Sequence, residues 1–486
     1  MTQSEASVAE YANAGPREAF VLGAGFSRAI SGEMPLTDDL GKYLAADIPG
    51  VSDSLGSLSF EAWLSGRAEP QPYLNLAANL ERQALFARAT ESLARALDDA
   101  ITRTLGSPMC RWLGELIGLW HLQNSDVLTF NYDTLVECAF ETLQFWDWRQ
   151  ETRFQWGSLI NYNPSGYAGS SFNEIDGVAP HPSFRLWKLH GSTNWFWTPG
   201  DRTGASARRV DLPGQFLAPQ PLGLASQHWR APGRERLLVP PSASKSPYYA
   251  NPVTTATWMR GYEALSRASV ITLIGYSLPA TDLTTIGMLT EAVSNGTVRE
   301  VRIVDVNPEP LAERLRVLMP DRVDVAIRGS GPSAVADYVT DMLRQAGRNA
   351  LDEVRSIASE VGKDGRVLVT WGDLDRRPAG TPEGHGRTAA IVEMQGGDQA
   401  GTLDLISDDL RSFEGATQAR RPGEQEPIAG ADLLRRLGAD VKGITVTLPG
   451  TAYEAPVIAS TKRETNLGAG NGTWLQLIPA GQATTR

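Results

Sequence analysis

The residue with the clearest chemical potential is a histidine that directly follows a short apolar run. His190 comes after Leu186–Leu189, and the next residue, Gly191, leaves room for a ligand beside the ring. An imidazole titrates near neutral pH, so His190 suits the role of a general base. The alternative is a packed or surface histidine without a chemical role.

An asparagine occupies a similar place after another apolar run. Asn131 follows Val127–Thr129 and comes two residues before Asp133. One interpretation is that the Asn131 amide holds a hydroxyl group or a water molecule. The other is that Asn131 caps a helix beginning near Leu135, with Asp133 in its first turn.

A glycine-rich segment follows the first apolar run of the chain. It consists of Gly23, Ala24, Gly25, Phe26 and Ser27. Glycines let the backbone approach a phosphate closely, and the N–H groups of a helix N-terminus attract anions. The dinucleotide fingerprint G-x-G-x-x-G is incomplete because Arg28 occupies its third glycine position. Phosphate binding and a purely structural turn both remain open.

Two further apolar runs end in small or polar residues. Gly275 and Ser277 follow Val270–Ile274, and Asn307 follows Val301–Val306. Each segment is compatible with turn chemistry alone. In an open parallel sheet, however, ligands bind beyond the carboxyl ends of the strands. Five such endings therefore predict one shared crevice, with Ser277 and Asn307 among its contacts.

The elements that must position these residues alternate along the chain. The predicted strands are Ala19–Leu22, Val127–Thr129, Leu186–Leu189, Leu237–Val239, Val270–Ile274 and Val301–Val306. The predicted helices are Leu74–Leu105, Thr134–Leu143 and Pro310–Leu318. Short apolar runs that alternate with amphipathic helices are typical of an α/β fold with a parallel sheet. The long helical stretch predicts a helical insertion after the first strand.

Composition sets the remaining limits. A chain of 486 residues predicts more than one domain. We expect an α/β domain over 15–345 and a smaller domain over 356–486, where alternating runs such as Ala389–Met394 and Trp474–Ile478 predict a β-rich structure.

Charge and cysteine content exclude several function classes. The net charge of −11 argues against direct nucleic-acid binding. Two cysteines predict neither a disulfide framework nor a four-thiolate zinc site, so we expect no metal. Without a signal core or a long apolar run, we also expect no membrane span and a cytoplasmic location.

In order and type, these segments resemble the SIR2-like domains of bacterial anti-phage defence proteins, in the sirtuin superfamily. The matching segments are Gly23-Ala24-Gly25-Phe26-Ser27, Thr129-Phe130-Asn131-Tyr132-Asp133, Leu189-His190-Gly191-Ser192, Gly275-Tyr276-Ser277-Leu278-Pro279 and Val306-Asn307-Pro308. They extend over about two thirds of the chain. The resemblance implies a Rossmann-like fold that binds NAD⁺ as its substrate.

The resemblance also implies roles for individual residues. Segment 23–27 would hold the pyrophosphate, with Gly275 and Ser277 beside it. Asn131 and Asp133 would lie by the nicotinamide ribose, and His190 would be the base. Asn307 would contact the adenosine half. Such proteins are typically NADases that deplete NAD⁺ in abortive infection, as homo-oligomers or together with a defence-system partner.

Two other functions are compatible with the same pattern. One is an NAD-dependent protein deacylase, but deacylating sirtuins carry a four-cysteine zinc ribbon, and this chain has only Cys110 and Cys138. They also carry a Pro-x-Phe-Arg run, whereas here Pro35 is followed by Leu36-Thr37-Asp38. The other is a non-catalytic module that senses a nucleotide. The C-terminal domain then has either a sensing or an assembly role.

Overall fold

The computed structural model describes the greater part of the chain. The described residues are 18–56, 58–123, 125–143, 146–147, 152–153, 155–160, 183–220, 233–242, 245–279, 282–342, 345, and seven strands after residue 366. Two compact units divide the chain: 1–110, 120–142 and 155–338 form one, and 111–119, 143–154 and 339–486 form the other. The predicted boundary between 345 and 356 falls outside the described residues.

Strands alternate with helices along residues 18–342, most of which belong to the first unit. In chain order the strands are β1 (Glu18–Leu22), β2 (Asp126–Thr129), β3 (Trp146–Asp147), β4 (Thr152–Arg153), β5 (Arg185–Lys188), β6 (Gly191–Trp197), β7 (Arg208–Arg209), β8 (Gly214–Gln215), β9 (Ala218–Pro219), β10 (Glu235–Leu238), β11 (Val270–Ile274), β12 (Glu300–Val304) and β13 (Asp324–Gly329). The helices are α1 (Ala24–Ile30), α2 (Thr37–Asp47), α3 (Val51–Leu55), α4 (Phe60–Ala68), α5 (Leu76–Leu105), α6 (Arg111–Gln123), α7 (Leu135–Leu143), α8 (Ser246–Tyr249), α9 (Pro252–Arg267), α10 (Leu283–Asn295) and α11 (Glu309–Leu318). A 3₁₀ helix spans Trp156–Ile160, and 334–342 is helical.

A six-stranded parallel sheet forms the centre of this unit. Its order is β13-β12-β11-β1-β2-β5, and every neighbouring pair is parallel. When these six strands are ranked along the chain, the order is that of the doubly wound dinucleotide-binding fold. The prediction of a Rossmann-like α/β sheet is therefore confirmed. Strand order reverses between β1 and β11, which makes this the topological switch point.

Most of the predicted strands lie where the sequence pattern indicates. Five of the six predicted runs form strands of the central sheet. The exception is the run Leu237–Val239, which belongs to β10 and pairs antiparallel with β6 in a separate three-stranded sheet. Strand β13 was not predicted, because it lies at the sheet edge and its half-exposed sequence, DVAIRG, lacks a continuous apolar run.

The predicted helical insertion occupies the chain between β1 and β2. Side-chain caps begin two of its helices: Ser59 accepts a hydrogen bond from the Ala62 N–H before α4, and Asn75 accepts one from the Ala78 N–H before α5. The second half of α5 is buried along one face, and the helix packs on α2 and α4. Helix α9 packs on β2 and β5.

The chain after residue 366 forms a second sheet. Its strands are β14 (Val367–Trp371), β15 (Arg387–Gln395), β16 (Gly401–Ser407), β17 (Gln418–Arg420), β18 (Gly443–Thr447), β19 (Glu454–Leu467) and β20 (Gly470–Pro479). They are hydrogen-bonded in the order β14-β20-β19-β18-β15-β16-β17, antiparallel except for the β14–β20 pair. The predicted β-rich C-terminal region is therefore confirmed. Across the described part of the chain, no helix combines the length and the apolar character needed to cross a membrane.

Gly191 is required by the backbone that follows His190. Its φ angle is +78°, and a Cβ atom there would lie 1.8 Å from the carbonyl oxygen of Leu237 on the neighbouring strand. Gly191→Ala is therefore expected to lower the free energy of unfolding by at least about 2 kcal/mol, from left-handed strain and overpacking. Chemical denaturation measures this change. Gly32→Ala is the matched control, because its added Cβ meets no atom within 4 Å, and equal stability of the two variants would contradict the prediction.

Candidate functional site

Five loops begin at one edge of the central sheet. Leu22 pairs in register with Thr129 on one side and Ile274 on the other, Thr129 pairs with Lys188, and Ile274 pairs with Val304. The carboxyl ends of these strands are therefore level, and the segments after them start side by side. This register places the segments that follow the five strands at one edge of the sheet, as the sequence predicts.

The glycine-rich segment packs directly on the loop after β11. The Gly25 N–H donates to the Gly275 carbonyl oxygen at 2.8 Å, and the Gly23 N–H donates to the Ile274 carbonyl oxygen at 3.1 Å. A Cβ atom on Gly23 would lie 2.5 Å from the Gly275 oxygen, and Gly275 itself has a φ angle of +58°. Close contact between the two loops therefore accounts for these glycines. Phosphate binding by Gly23, Gly25 and their neighbours stays a prediction.

Asn131 joins the loop after β2 to the glycine-rich segment. Its Nδ2 donates to the Gly23 carbonyl oxygen at 2.8 Å and to Ser27 Oγ at 2.9 Å. Ser27 Oγ in turn donates to Asp133 Oδ2 at 2.6 Å. Among the described residues the Asn131 Oδ1 accepts no hydrogen bond, and the side chain is only half-buried. This oxygen is therefore free to bind a ligand.

Asp133, and not Asn131, caps the helix that follows. Asp133 Oδ1 accepts a hydrogen bond from the Leu135 N–H at 3.1 Å, at the first residue of α7. The interpretation of Asn131 as a helix cap is therefore wrong, because its amide turns back toward β1. Asp133 is buried and has both carboxylate oxygens engaged within the protein, so its predicted contact with a ligand has no support in this geometry.

His190 is enclosed by aromatic rings. The Phe130 ring meets it edge-on with ring centroids 4.9 Å apart, and the rings of Tyr132 and Trp258 lie at 6.3 Å and 6.2 Å. The residue is 7% exposed, and its Nε2 atom has no hydrogen-bond partner. An unpaired buried nitrogen is unusual in a folded protein and points to a missing partner such as a ligand or a water molecule.

The surroundings keep this imidazole uncharged. Burial, and to a smaller extent the positive charge of Lys245, lower the pKa of His190 from 6.5 to about 3, although Asp282 partly opposes them. The ring is therefore neutral at physiological pH. A neutral imidazole is the form that can accept a proton.

The rings around His190 are held by hydrogen bonds and stacking. Tyr132 donates its hydroxyl proton to the Val239 carbonyl oxygen at 2.6 Å, and Trp258 Nε1 donates to the Leu189 carbonyl oxygen at 2.9 Å. Tyr276 stacks on Phe130 with centroids 4.5 Å apart. Trp258 belongs to α9, about seventy residues after His190. No local sequence signal distinguishes it from the other tryptophans.

A buried ion pair holds the loop after β2 against the end of β5. Lys188 Nζ donates to Glu137 Oε1 at 2.8 Å and to the Asp133 carbonyl oxygen at 2.5 Å, and both charged side chains are almost fully buried. The sequence pattern placed Lys188 inside an apolar run without indicating a partner. The pair therefore fixes the segment that carries Asn131 relative to the segment that carries His190.

Ser277 and Asn307 lie at the same sheet edge but on its other half. Both are exposed, and the Ser277 carbonyl oxygen accepts a hydrogen bond from Arg314 Nη2 at 2.6 Å. The Asn307 N–H donates to Asp305 Oδ1 at 2.9 Å, which is turn chemistry. The Asn307 side chain remains accessible. Within the described residues, no group of three or more histidine, cysteine or acidic side chains is arranged to hold a metal ion.

Comparison with known proteins gives only distant structural likenesses. No family model matches the chain, and no curated protein matches it. One similar solved structure is a Sir2–p53 peptide–NAD⁺ complex, at 11% identity and a TM-score of 0.31, covering 71% of this chain and 99% of that one. Another, from work on sirtuin substrate affinity, has 12% identity and a TM-score of 0.28, covering 70% of this chain and 99% of that one. Likenesses at this level carry no assignment, so the fold class depends on the sheet order itself.

The buried neutral histidine predicts a specific pH dependence of stability. Because its folded pKa lies below the unfolded value of 6.5, protonation favours the unfolded chain as pH falls from about 6.5 toward 3. The stability contributed by the neutral ring is complete above pH 6.5 and is lost below it, by up to about 1.4 kcal/mol per pH unit.

His190→Gln removes this titration. Urea denaturation between pH 7.5 and 4.5 is therefore expected to give a shallower fall in stability for the variant than for the wild type. His121→Gln is the control, since His121 bonds to Ser183 outside the site. Parallel curves for wild type and His190→Gln would contradict the assignment of a buried neutral ring.

Proposed function

We propose that the chain is an NAD⁺ glycohydrolase that cleaves NAD⁺ to nicotinamide and ADP-ribose. The observation that carries the proposal is the His190 Nε2 atom: buried, uncharged and without a partner, at the carboxyl edge of a doubly wound sheet. A buried neutral imidazole with an unpaired nitrogen can take a proton from water or from a sugar hydroxyl, as a hydrolase requires.

The strand order supports a path for the whole dinucleotide. Asn131 and His190 follow β2 and β5, whereas Ser277 and Asn307 follow β11 and β12, with the glycine-rich segment of β1 between them. Four strand spacings separate β12 from β5, about 19 Å in all. In this arrangement the nicotinamide ribose lies by Asn131 and His190, the pyrophosphate by segment 23–27 and Gly275, and the adenosine half by Ser277 and Asn307.

The chemistry requires few protein groups. The bond between C1′ of the ribose and the nicotinamide nitrogen breaks, and its electron pair leaves with the nicotinamide. Water adds to the oxocarbenium-like C1′ and forms the new C–O bond. Neutral His190 accepts the proton that this water loses, directly or through a ribose hydroxyl. The free Asn131 Oδ1 fixes a ribose hydroxyl or the water, while its Nδ2 holds the glycine-rich segment.

The cellular role we propose is NAD⁺ depletion in anti-phage defence, which kills or arrests the infected cell. A continuously active NADase would be toxic, so the activity must be restrained until a trigger is present. The region 356–486 is the candidate for sensing that trigger or for assembly, either with other copies of the chain or with a defence-system partner. The resemblance of the motif set to SIR2-like defence proteins motivates this role.

Substitution of either central residue is expected to abolish turnover. His190→Ala should lower the rate of nicotinamide release by about 10²–10⁴-fold, because a positioned base contributes an effect of that size. Asn131→Ala should also abolish release, because it removes the amide that fixes the ribose hydroxyl or the water. NAD⁺ binding should largely remain, since it depends on many backbone contacts. The measurement is chromatography of the products after incubation of the purified protein with NAD⁺.

Asn295→Ala is the matched control, because Asn295 is exposed at the end of α10. Near-normal release by either site variant would remove the assignment. Calorimetric binding of NAD⁺ without any release by the wild type would instead favour a nucleotide sensor. Release that depends on an added acetylated peptide would favour a deacylase.

A further inference from the structure

A second buried ion pair lies beside the candidate base. Lys245 Nζ and Asp282 Oδ1 are 3.0 Å apart, and the two side chains are 7% and 6% exposed. Removing two charges from water costs as much as their attraction commonly returns, so such a pair is weakly explained by stability alone. Neither residue belongs to the catalytic and binding set assigned above.

Contacts lead from both residues to His190, one through the Asp282 side chain and one through the Lys245 backbone. Asp282 Oδ2 accepts a hydrogen bond from the Tyr276 hydroxyl at 3.1 Å, and Tyr276 stacks on Phe130, whose edge meets His190. On the other side, the Lys245 carbonyl oxygen accepts a hydrogen bond from the Tyr249 N–H at 3.2 Å. The Tyr249 ring meets Trp258 edge-on at 5.2 Å, and Trp258 contacts His190.

The groups that face His190 fall into two kinds. Uncharged rings come from Phe130, Tyr132 and Trp258. Charges come from Lys245, which disfavours protonation of the imidazole, and from Asp282, which favours it. The two opposite charges therefore act on the same ring from one place, and the lysine has the larger effect.

We propose that Lys245 and Asp282 are positioning residues for His190. The pair fixes the aromatic frame that orients the imidazole, and the lysine neutralises the carboxylate that shares this buried space with the ring. The inference deepens the proposed function, because it concerns the protonation and orientation of the residue to which that function gives the role of base.

Two single variants separate this role from simple structural support. Lys245→Met leaves the Asp282 carboxylate unbalanced beside the ring, so the pKa of His190 should rise by about two units. Asp282→Asn leaves the lysine unopposed and should lower that pKa. A pair that only stabilises the fold would weaken stability in both variants without bringing the imidazole titration of Lys245→Met into the measured pH range.

The measurement is an NMR titration of the full-length protein with labelled histidine between pH 8 and 4.5. The His190 signal is identified by its loss in His190→Gln. We expect no titration of this signal in the wild type or in Asp282→Asn, and protonation near pH 5 in Lys245→Met. Lys245→Arg keeps the charge and should restore the wild-type curve. Lys42→Met is the control, because Lys42 pairs with Asp39 on the exposed surface and its loss should leave His190 unchanged.

A wild-type curve in Lys245→Met, or protonation of His190 in this range in Asp282→Asn, would overturn the proposal. If the single variants do not fold, Lys245→Gln/Asp282→Asn leaves no unpaired charge. The titration of this double variant is extended to about pH 3.5, where its His190 signal should begin to move at a higher pH than that of the wild type, because the lysine effect is the larger. An unchanged curve over the extended range would overturn the proposal in the same way.

Measurement of nicotinamide release then distinguishes the glycohydrolase proposal from the positioning role of Lys245 and Asp282. If the wild type releases nicotinamide, the acid limb of kcat/KM in Lys245→Met should move upward by the same interval as the NMR titration. An unmoved limb would overturn the positioning role even with the glycohydrolase established. If the wild type releases none, the glycohydrolase proposal fails, and the NMR titration alone decides whether Lys245 and Asp282 set the state of His190.

Discussion

The contact on which the site depends is the one between the loop after β1 and the loop after β11. Two backbone hydrogen bonds and the missing side chains of Gly23 and Gly25 let these loops touch at the switch point of the sheet. Any Cβ atom there would meet backbone, which cannot move without shifting a strand. Close packing of the two loops therefore already requires glycine at these positions. Any role of these glycines in phosphate binding is additional to that requirement.

From that contact the polar groups are organised outward. The Asn131 amide binds both the Gly23 carbonyl oxygen and Ser27, so the loop after β2 is attached to the same segment. Asp133 is then used for capping and for Ser27. This leaves one oxygen of Asn131 and one nitrogen of His190 as the unpaired polar atoms of the central residues, and these two atoms are where a ligand can be recognised.

Burial has a different consequence at each charged group near the edge. Lys188 and Glu137 neutralise each other within the protein and hold the backbone. Lys245 and Asp282 also neutralise each other, but they remain within electrostatic reach of an imidazole whose Nε2 atom has no hydrogen-bond partner. We therefore assign the first pair a structural role and the second a role in the site, although both pairs are buried.

The sequence by itself determined the sheet and the loops at its edge. Continuous apolar runs such as Val270–Ile274 are typical of strands in a parallel sheet that is covered on both faces. The residues that follow such strands then meet at one edge. The same pattern misplaced Leu237–Val239, because burial gives parallel and antiparallel strands the same apolar run. The pattern also did not predict the edge strand β13, because most of its side chains are partly or fully exposed and its sequence has no continuous apolar run.

Only the tertiary structure decided what each polar side chain does. Asn131 and Asp133 are two residues apart, and sequence alone could not say which of them caps α7 and which faces β1. Lys245, Trp258 and Asp282 reach His190 from segments more than fifty residues away, with no motif to announce them. The pattern of a strand is local, because it follows from the period of the backbone. The hydrogen-bond partners of a polar side chain, its protonation state and its unpaired atoms depend on which distant side chains share the same buried space.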